Sequence, residues 1–353
     1  MRWLDQVKVF LALGICVISN VTAQAQIAAA DPLFATESLL DITLTAPFAE
    51  IDRDRDREKS YPGTLSYVDE SGDRIVLDVS IEVRGNFRLQ KDNCRYSQLW
   101  VDLKREQTPD TLFAQQNRLK LVVQCGAQDR YREYLVKEQQ LYQVFAALTE
   151  LNFGTRLLNT TYVYSDDPGE ERTHLAFFIE HQRRLKDQIG MEDVELNTIE
   201  RGALDPAQST LVALFMYMIG NTDYSMTAAA EGDECCHNAK LLVDANGRYY
   251  PLPYDFDASG FVDTSYAPSP DPSFKLRSNR DRLYRGFCVE DSALATAVTE
   301  FMEARDQIMS IVADTTLVDD RAAQRSQRYL EEFYATLEDE RSMRNEIIEE
   351  CRN

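Results

Sequence analysis

Apolar residues recur at every second position from Arg74 to Arg84, where Ile75, Leu77, Val79, Ile81 and Val83 alternate with mostly polar neighbours. That period predicts a half-buried β-strand. Shorter segments at Leu39–Thr45, Gly63–Val68, Leu99–Leu103, Leu119–Val123, Thr161–Tyr164 and Leu175–Ile179 read the same way. From Tyr131 to Leu151 the period becomes helical, placing Leu135, Leu141, Val144, Phe145 and Leu148 on one face. Asp205 before Pro206 marks a helix start, and the apolar run Leu211–Ile219 stops at Gly220. Ser292–Val312 and Arg321–Glu350 predict two further amphipathic helices. The sign-alternating run Asp52–Lys59 reads as a solvated loop, and the proline-rich stretch Gly260–Ser273 as a long one. The order is a β-rich half followed by a helical half, an α+β arrangement with 26–181 and 182–353 as its two parts.

Between Gly220 and Gly260 lies the densest chemistry of the chain. Ala239–Val243 and Arg248–Leu252 flank Asn246-Gly247, a strong hairpin signal because both positions of a type I′ turn need positive φ. A two-residue loop sets Ala245 against Arg248 and brings Asn238 opposite Asp255. Directly opposed residues have Cβ atoms about 4.5–5.5 Å apart, close enough to share a cation. Asp223, in Ile219-Gly220-Asn221-Thr222-Asp223, is delivered on the loop after the apolar helix. An acidic residue that orients a hydroxyl, with two oxygen ligands for Mg²⁺, is the equipment of phosphoryl transfer.

This ordered set resembles the atypical HipA-type toxin kinases and CotH-type spore-coat kinases. It is also similar to exported bacterial proteins of unassigned function that share Ile-Gly-Asn-Thr-Asp and Pro-Tyr-Asp-Phe-Asp. The resemblance implies a two-lobed protein-kinase-like fold, with a β-rich N-terminal lobe and a helical C-terminal lobe. It puts the catalytic role on Asp223 and the Mg²⁺ (or Mn²⁺) ligands on Asn238 and Asp255. Arg84-Gly85-Asn86 matches the Arg-Gly-Asn element of the CotH type. In a kinase layout a strand lysine holds the nucleotide and pairs with a helical glutamate. Lys120 and Glu138 take those places, with Lys104 and Lys137 as competitors, and Asp257 and Arg84 are further candidates. Two features depart from ordinary kinases: Ser225–Cys236 lengthens the interval before Asn238, and no G-x-G-x-x-G loop occurs. The implied activity is ATP-dependent transfer to an acceptor hydroxyl of unspecified identity. The alternatives are a binding protein that keeps the cleft without turnover, and a disulfide-stapled envelope protein.

Composition adds location. Arg2 and Lys8 precede the apolar stretch Val9–Ile18, and Ala23-Gln24-Ala25 has the form of a cleavage site, so 1–25 reads as a signal peptide. The expected location is periplasmic or extracellular, without a membrane anchor. A formal charge of −21 disfavours nucleic acid as a partner. Outside the leader stand Cys94, Cys125, Cys235, Cys236, Cys288 and Cys351, an even set that suggests disulfides. Cys94 and Cys125 flank two strands and form the first expected pair, while adjacent Cys235 and Cys236 are each expected to reach Cys288 or Cys351. Cys235-Cys236-His237 also clusters soft metal ligands, although zinc sites space their cysteines by two or more residues. Arg277, Arg280, Arg282 and Arg285 either receive a phosphate or make structural ion pairs. His181 reads as a half-buried, hydrogen-bonded residue. Three histidines and no G-x-S-x-G leave no serine-hydrolase signature.

Overall fold

Strand β1 (Leu40–Ala46) pairs antiparallel with β2 (Ser60–Val68) on one side and parallel with β6 (Thr155–Tyr164) on the other. The parallel pairing closes a barrel in the order β1-β2-β3-β4-β5-β7-β6, with β3 at Arg74–Arg84, β4 at Gln98–Leu103, β5 at Arg118–Val123 and β7 at Glu171–Ile179. The structure is a computed structural model describing residues 31–352 except Gly232; the expected signal peptide lies outside the described residues. The closed barrel corrects the expected two-lobed protein-kinase-like fold. The α+β content stands, but seven strands in a ring leave no open β lobe, and closure removes the edges that an open sheet must protect.

Alternation explains the barrel's interior. Ile42, Leu44, Leu65, Leu77, Val79, Ile81, Leu99, Val101, Leu119, Leu121 and Phe178 fill it. On β5 and β7 the outward side chains Val122, Leu175, Phe177 and Ile179 are buried as well, under helices. Burial on both faces is why Leu175–Ile179 is an unbroken apolar run rather than an alternating one.

Helix α1 (Phe48–Asp54) occupies the start of the run expected to be a solvated loop, because Phe48 and Ile51 are anchored in the core. Arg55, just after it, is buried rather than solvated and donates to the carbonyls of Leu89 (2.7 Å), Cys94 (2.8 Å) and Arg95 (2.7 Å). Helix α2 (Asp129–Ala146) runs along the outside of the barrel.

After α3 (Gln182–Ile189) and the short β8 (Glu192–Asp193) comes α4 (Pro206–Ile219). Asp205 caps α4 by accepting from Gln208 N at 2.8 Å, and Gly220 ends it at φ 64°. Every residue from Gln208 to Ile219 is buried. Strands β9 (Ala239–Val243) and β10 (Tyr249–Pro253) follow, then α5 (Asp291–Glu303), α6 (Arg305–Ala313), α7 (Asp320–Glu338) and α8 (Glu340–Met343). The two long C-terminal helices of the sequence reading are thus each divided, near Ala304 and at Asp339. Asp339 interrupts because its carboxylate caps Ser342 N at 2.8 Å. The chain from Asp31 onward forms one compact unit.

Cys94 is bonded to Cys125, as expected, with Cα atoms 4.6 Å apart. Cys288 is bonded to Cys351 (Cα 4.9 Å), where Cys288 N donates to Arg352 O at 3.0 Å. Cys235 and Cys236 pair with each other, correcting the expectation that each reaches a distant cysteine. Cys288 and Cys351 already satisfy one another, which leaves the neighbours as mutual partners. Three disulfides fit an oxidising, non-cytoplasmic compartment. Among the described residues no helix is long and apolar enough to cross a membrane.

Candidate active site

The hairpin that carries the acidic motif differs from its expected register by one residue. Val243 faces Tyr249 and Ala239 faces Pro253, so Asn238 lies against Tyr254 rather than Asp255, and Tyr254 N donates to Asn238 O at 3.1 Å. The cause is the loop. Asp244 accepts through its side chain from Asn246 N and Arg248 N, both at 2.9 Å, and Gly247 N donates to Asp244 O at 3.0 Å. Only Gly247 has positive φ, at 78°. The result is a three-residue loop, a turn closed by a left-handed glycine, instead of a type I′ turn. Asn238 (φ 50°) and Asp255 (φ 63°) are both left-handed, a conformation that Asn and Asp tolerate best among residues with a Cβ.

Asp223 sits three residues beyond Gly220 and is oriented from several sides. Its N–H donates to Asn221 Oδ1 at 2.8 Å, and His237 Nε2 lies 2.6 Å from its Oδ1. Asn238 Nδ2 donates to its carbonyl (2.7 Å) and to Oδ2 (3.1 Å). With the amide nitrogen committed, the Oδ1 of Asn238 is left to face elsewhere. The hydrogen bond that Asp223 accepts raises the pKa of His237 against the opposing effect of burial. Arg285 braces the loop by donating to the carbonyls of Thr222 and Tyr224, the latter at 2.7 Å. Arg280 and Arg282 make ion pairs with Asp263 (3.0 Å) and Glu332 (3.2 Å). These three arginines of the cluster therefore have structural partners.

At the centre stands Arg88, which the sequence reading did not single out. Its guanidinium reaches Asp255 Oδ1 (2.6 Å), Asp257 Oδ2 (3.3 Å) and Glu138 Oε2 (3.4 Å). Burial pushes Glu138 up to about 8, with Arg88 opposing it, and Asp257 up to about 6. Burial acts on Asp255 in the same sense, but Arg88, Arg84 and Lys120 outweigh it and hold that carboxyl below its ordinary value. Tyr142 assists by accepting the N–H of Asp255 at 3.0 Å. Glu138 is thus the partner of Arg88 and not of Lys120, the pairing that a kinase layout implied. An arginine four residues after Arg84, in a loop, carries no local signal of this role.

Three cations at this site have no carboxylate partner among the described residues. Among the described residues Arg84, Lys120 and Lys240 make no ion pair, yet all three line one cavity of about 660 Å³. Asp223, His237, Asn238, Asp255 and Asp257 line the same cavity. Lys120 Nζ stands 4.1 Å from the ring centre of Tyr254. Burial, reinforced by Arg84, lowers its pKa to about 7. A second cavity of about 480 Å³ shares Lys120, Lys240 and Tyr254 with the first and has Trp100, Phe153, Ile179 and Val194 as apolar walls. His181 lies there too, half-buried, accepting from Arg183 N at 3.2 Å. A third cavity, about 320 Å³, opens beyond Asp223 and His237 toward Tyr224, Phe274 and Arg285.

The donor set fits a hard divalent cation. Asn238 Oδ1 and the oxygen of Asp255 not engaged by Arg88 are the hard oxygen donors that this cavity could offer to Mg²⁺, which takes one or two protein ligands when phosphates and water complete its shell. Among the described residues no group of three or more His, Cys, Asp or Glu side chains has metal-site geometry.

The chain matches no family model and no curated protein.

Proposed function

We propose that this protein is a phosphotransferase that moves the terminal phosphoryl group of ATP, with Mg²⁺ or Mn²⁺, to an acceptor hydroxyl. The observation that carries the reading is the convergence of three unpaired cations and the Asp223–Asn238–Asp255 set on one cavity, in a chain of formal charge −21. A strongly acidic protein that leaves Arg84, Lys120 and Lys240 unpaired around a cavity offers a place for a polyanion.

In this reading Arg84, Lys120 and Lys240 face the phosphates, and the apolar walls of the second cavity receive the base. Asn238 and Asp255 would hold the divalent cation, which would supply neutralisation of phosphate charge there. Asp223 orients the acceptor hydroxyl, entering from the third cavity, and takes its proton. The acceptor oxygen forms its bond to the terminal phosphorus as the bond to the bridging oxygen breaks, and ADP departs with that electron pair. His237 and Asn238 hold Asp223 in place. The resemblance to HipA-type and CotH-type kinases supports this assignment through motif order, while the barrel is this chain's own. Its disulfides support work outside the cytoplasm, in the periplasm or beyond.

Melting temperature measured with ATP plus Mg²⁺ or Mn²⁺, against each alone, tests the reading. A rise of several degrees with the combination is expected. No rise at millimolar nucleotide overturns it, and a rise without turnover on any hydroxyl acceptor leaves a binding protein.

A further inference from the structure

Arg88 sets one guanidinium among three carboxylates. It is 7% exposed and contacts three carboxylates of graded exposure: Asp255 at 35%, Asp257 at 13% and Glu138 at 3%. Asp255, the one most open to the cavity, makes the shortest contact at 2.6 Å. The second oxygen of Glu138, Oε1, is buried without a hydrogen-bond partner, so the carboxylates exceed what one guanidinium satisfies. The loop that carries Arg88 is fastened on its far side. Arg55 grips the carbonyls of Leu89, Cys94 and Arg95, and Cys94 is bonded to Cys125. Arg88 is therefore presented by a tethered segment rather than by a free side chain at the surface.

We propose that Arg88 is a built-in counter-cation that competes with the divalent metal for Asp255, so that metal enters the cavity together with a phosphate ligand and not ahead of it. Resting on the phosphotransferase reading for its phosphate partner, the inference follows from charge. Asp255 is paired with Arg88, and Arg84, Lys120 and Lys240 face the same space. A dication arriving alone meets four cationic groups, with Asp255 and Asp257 in use by Arg88 and Asp223 held by His237 and Asn238. Asp233 and Glu234 are the remaining carboxylates of the lining. A polyphosphate satisfies Arg84, Lys120 and Lys240 first and supplies the oxygens that the protein lacks, which reverses the balance. Arg88 is a positioning residue in this scheme, setting the order of binding without touching the reacting atoms.

Mn²⁺ binding followed by electron paramagnetic resonance tests the inference, with no nucleotide present and the full chain in every sample. Arg88→Gln/Glu138→Gln removes the competitor together with the most deeply buried of the three carboxyls it contacts. This variant is expected to bind Mn²⁺ at least tenfold more tightly than the parent, and adding Asp255→Ala is expected to abolish the gain. Arg88→Lys, which keeps the charge but not the fork, is expected to fall between the two. A separate calorimetric titration of ATP into the parent, with and without Mn²⁺, should show cation dependence. Mn²⁺ affinity unchanged in both the double variant and Arg88→Lys overturns the proposal, as does a gain that survives Asp255→Ala. If the double variant does not fold, Arg88→Lys decides: a tighter Mn²⁺ site supports competition, and an unchanged one refutes it. If the parent binds no ATP, the phosphotransferase reading fails, whereas the Mn²⁺ comparison still judges Arg88.

Discussion

Asn238 donates through one amide nitrogen to both the backbone carbonyl (2.7 Å) and the carboxylate (3.1 Å) of Asp223, fifteen positions earlier in the chain. A candidate metal ligand thus also holds the candidate catalytic carboxylate, which ties the orientation of one role to the other. Asp223→Asn keeps the side chain's shape but removes its capacity to accept a proton. Nucleotide affinity is expected to stay within about threefold of the parent, while transfer falls by about 10²–10⁴, the usual contribution of a general base. Parallel calorimetry and phosphoryl-transfer assays separate the two effects. Loss of binding together with activity would mean that Asp223 serves the nucleotide and not the acceptor.

Lys120 gives a pH signature. Its ammonium pKa is lowered to about 7 by burial and by Arg84, so the side chain is charged below that pH and increasingly neutral above it. An anionic ligand favours the charged form. Affinity for ATP is therefore expected to be highest below pH 7 and to fall as pH rises, by up to about tenfold per unit until the ligand-bound pKa is reached. Titrations from pH 6 to 9 should show this slope in the parent and a weaker slope in Lys120→Gln.

Glu180 supplies a stability test away from the phosphate end. Burial raises it from 4.5 to about 7, although its Oε2 accepts the N–H of Gly154 at 3.1 Å. The folded protein holds this proton where the unfolded chain has lost it. The contribution is complete below pH 4.5 and is lost as pH climbs through about 7, up to roughly 3 kcal/mol across the window. Glu180→Gln should remove this component, and denaturant unfolding at pH 5 and pH 8 should show a smaller difference than in the parent. An unchanged difference would place the buried proton elsewhere.

The disulfides are expected to divide by sequence separation. Cys94–Cys125 closes a span of 31 positions and Cys288–Cys351 one of 63, so removing either bond is expected to cost about 4 kcal/mol through the entropy of the unfolded chain. Cys235–Cys236 spans one position and constrains almost nothing in the unfolded chain. Cys235→Ser/Cys236→Ser should therefore leave the urea midpoint near the parent's, while disturbing ligand binding, because Cys236 lines the main cavity. A large loss of stability in this variant would contradict the division.

Local periodicity by itself determined the strands of the β-rich half, the helix Pro206–Ile219 with its Asp205 cap and Gly220 stop, and the pairing of Cys94 with Cys125. These depend on neighbours in the chain and on alternation against a single core. The acidic motif was also readable, because Asp223, Asn238 and Asp255 lie within 33 residues and line one cavity. Barrel closure was not, since the parallel register of Leu40 against Leu158 joins strands more than 100 positions apart and no local pattern encodes it. The hairpin register turned on Asp244, whose side chain chose a three-residue loop over the two-residue one that Asn-Gly favours. Arg88 was invisible for the same reason as the barrel: its partners stand at 138, 255 and 257, and only the folded chain brings one guanidinium among three carboxylates.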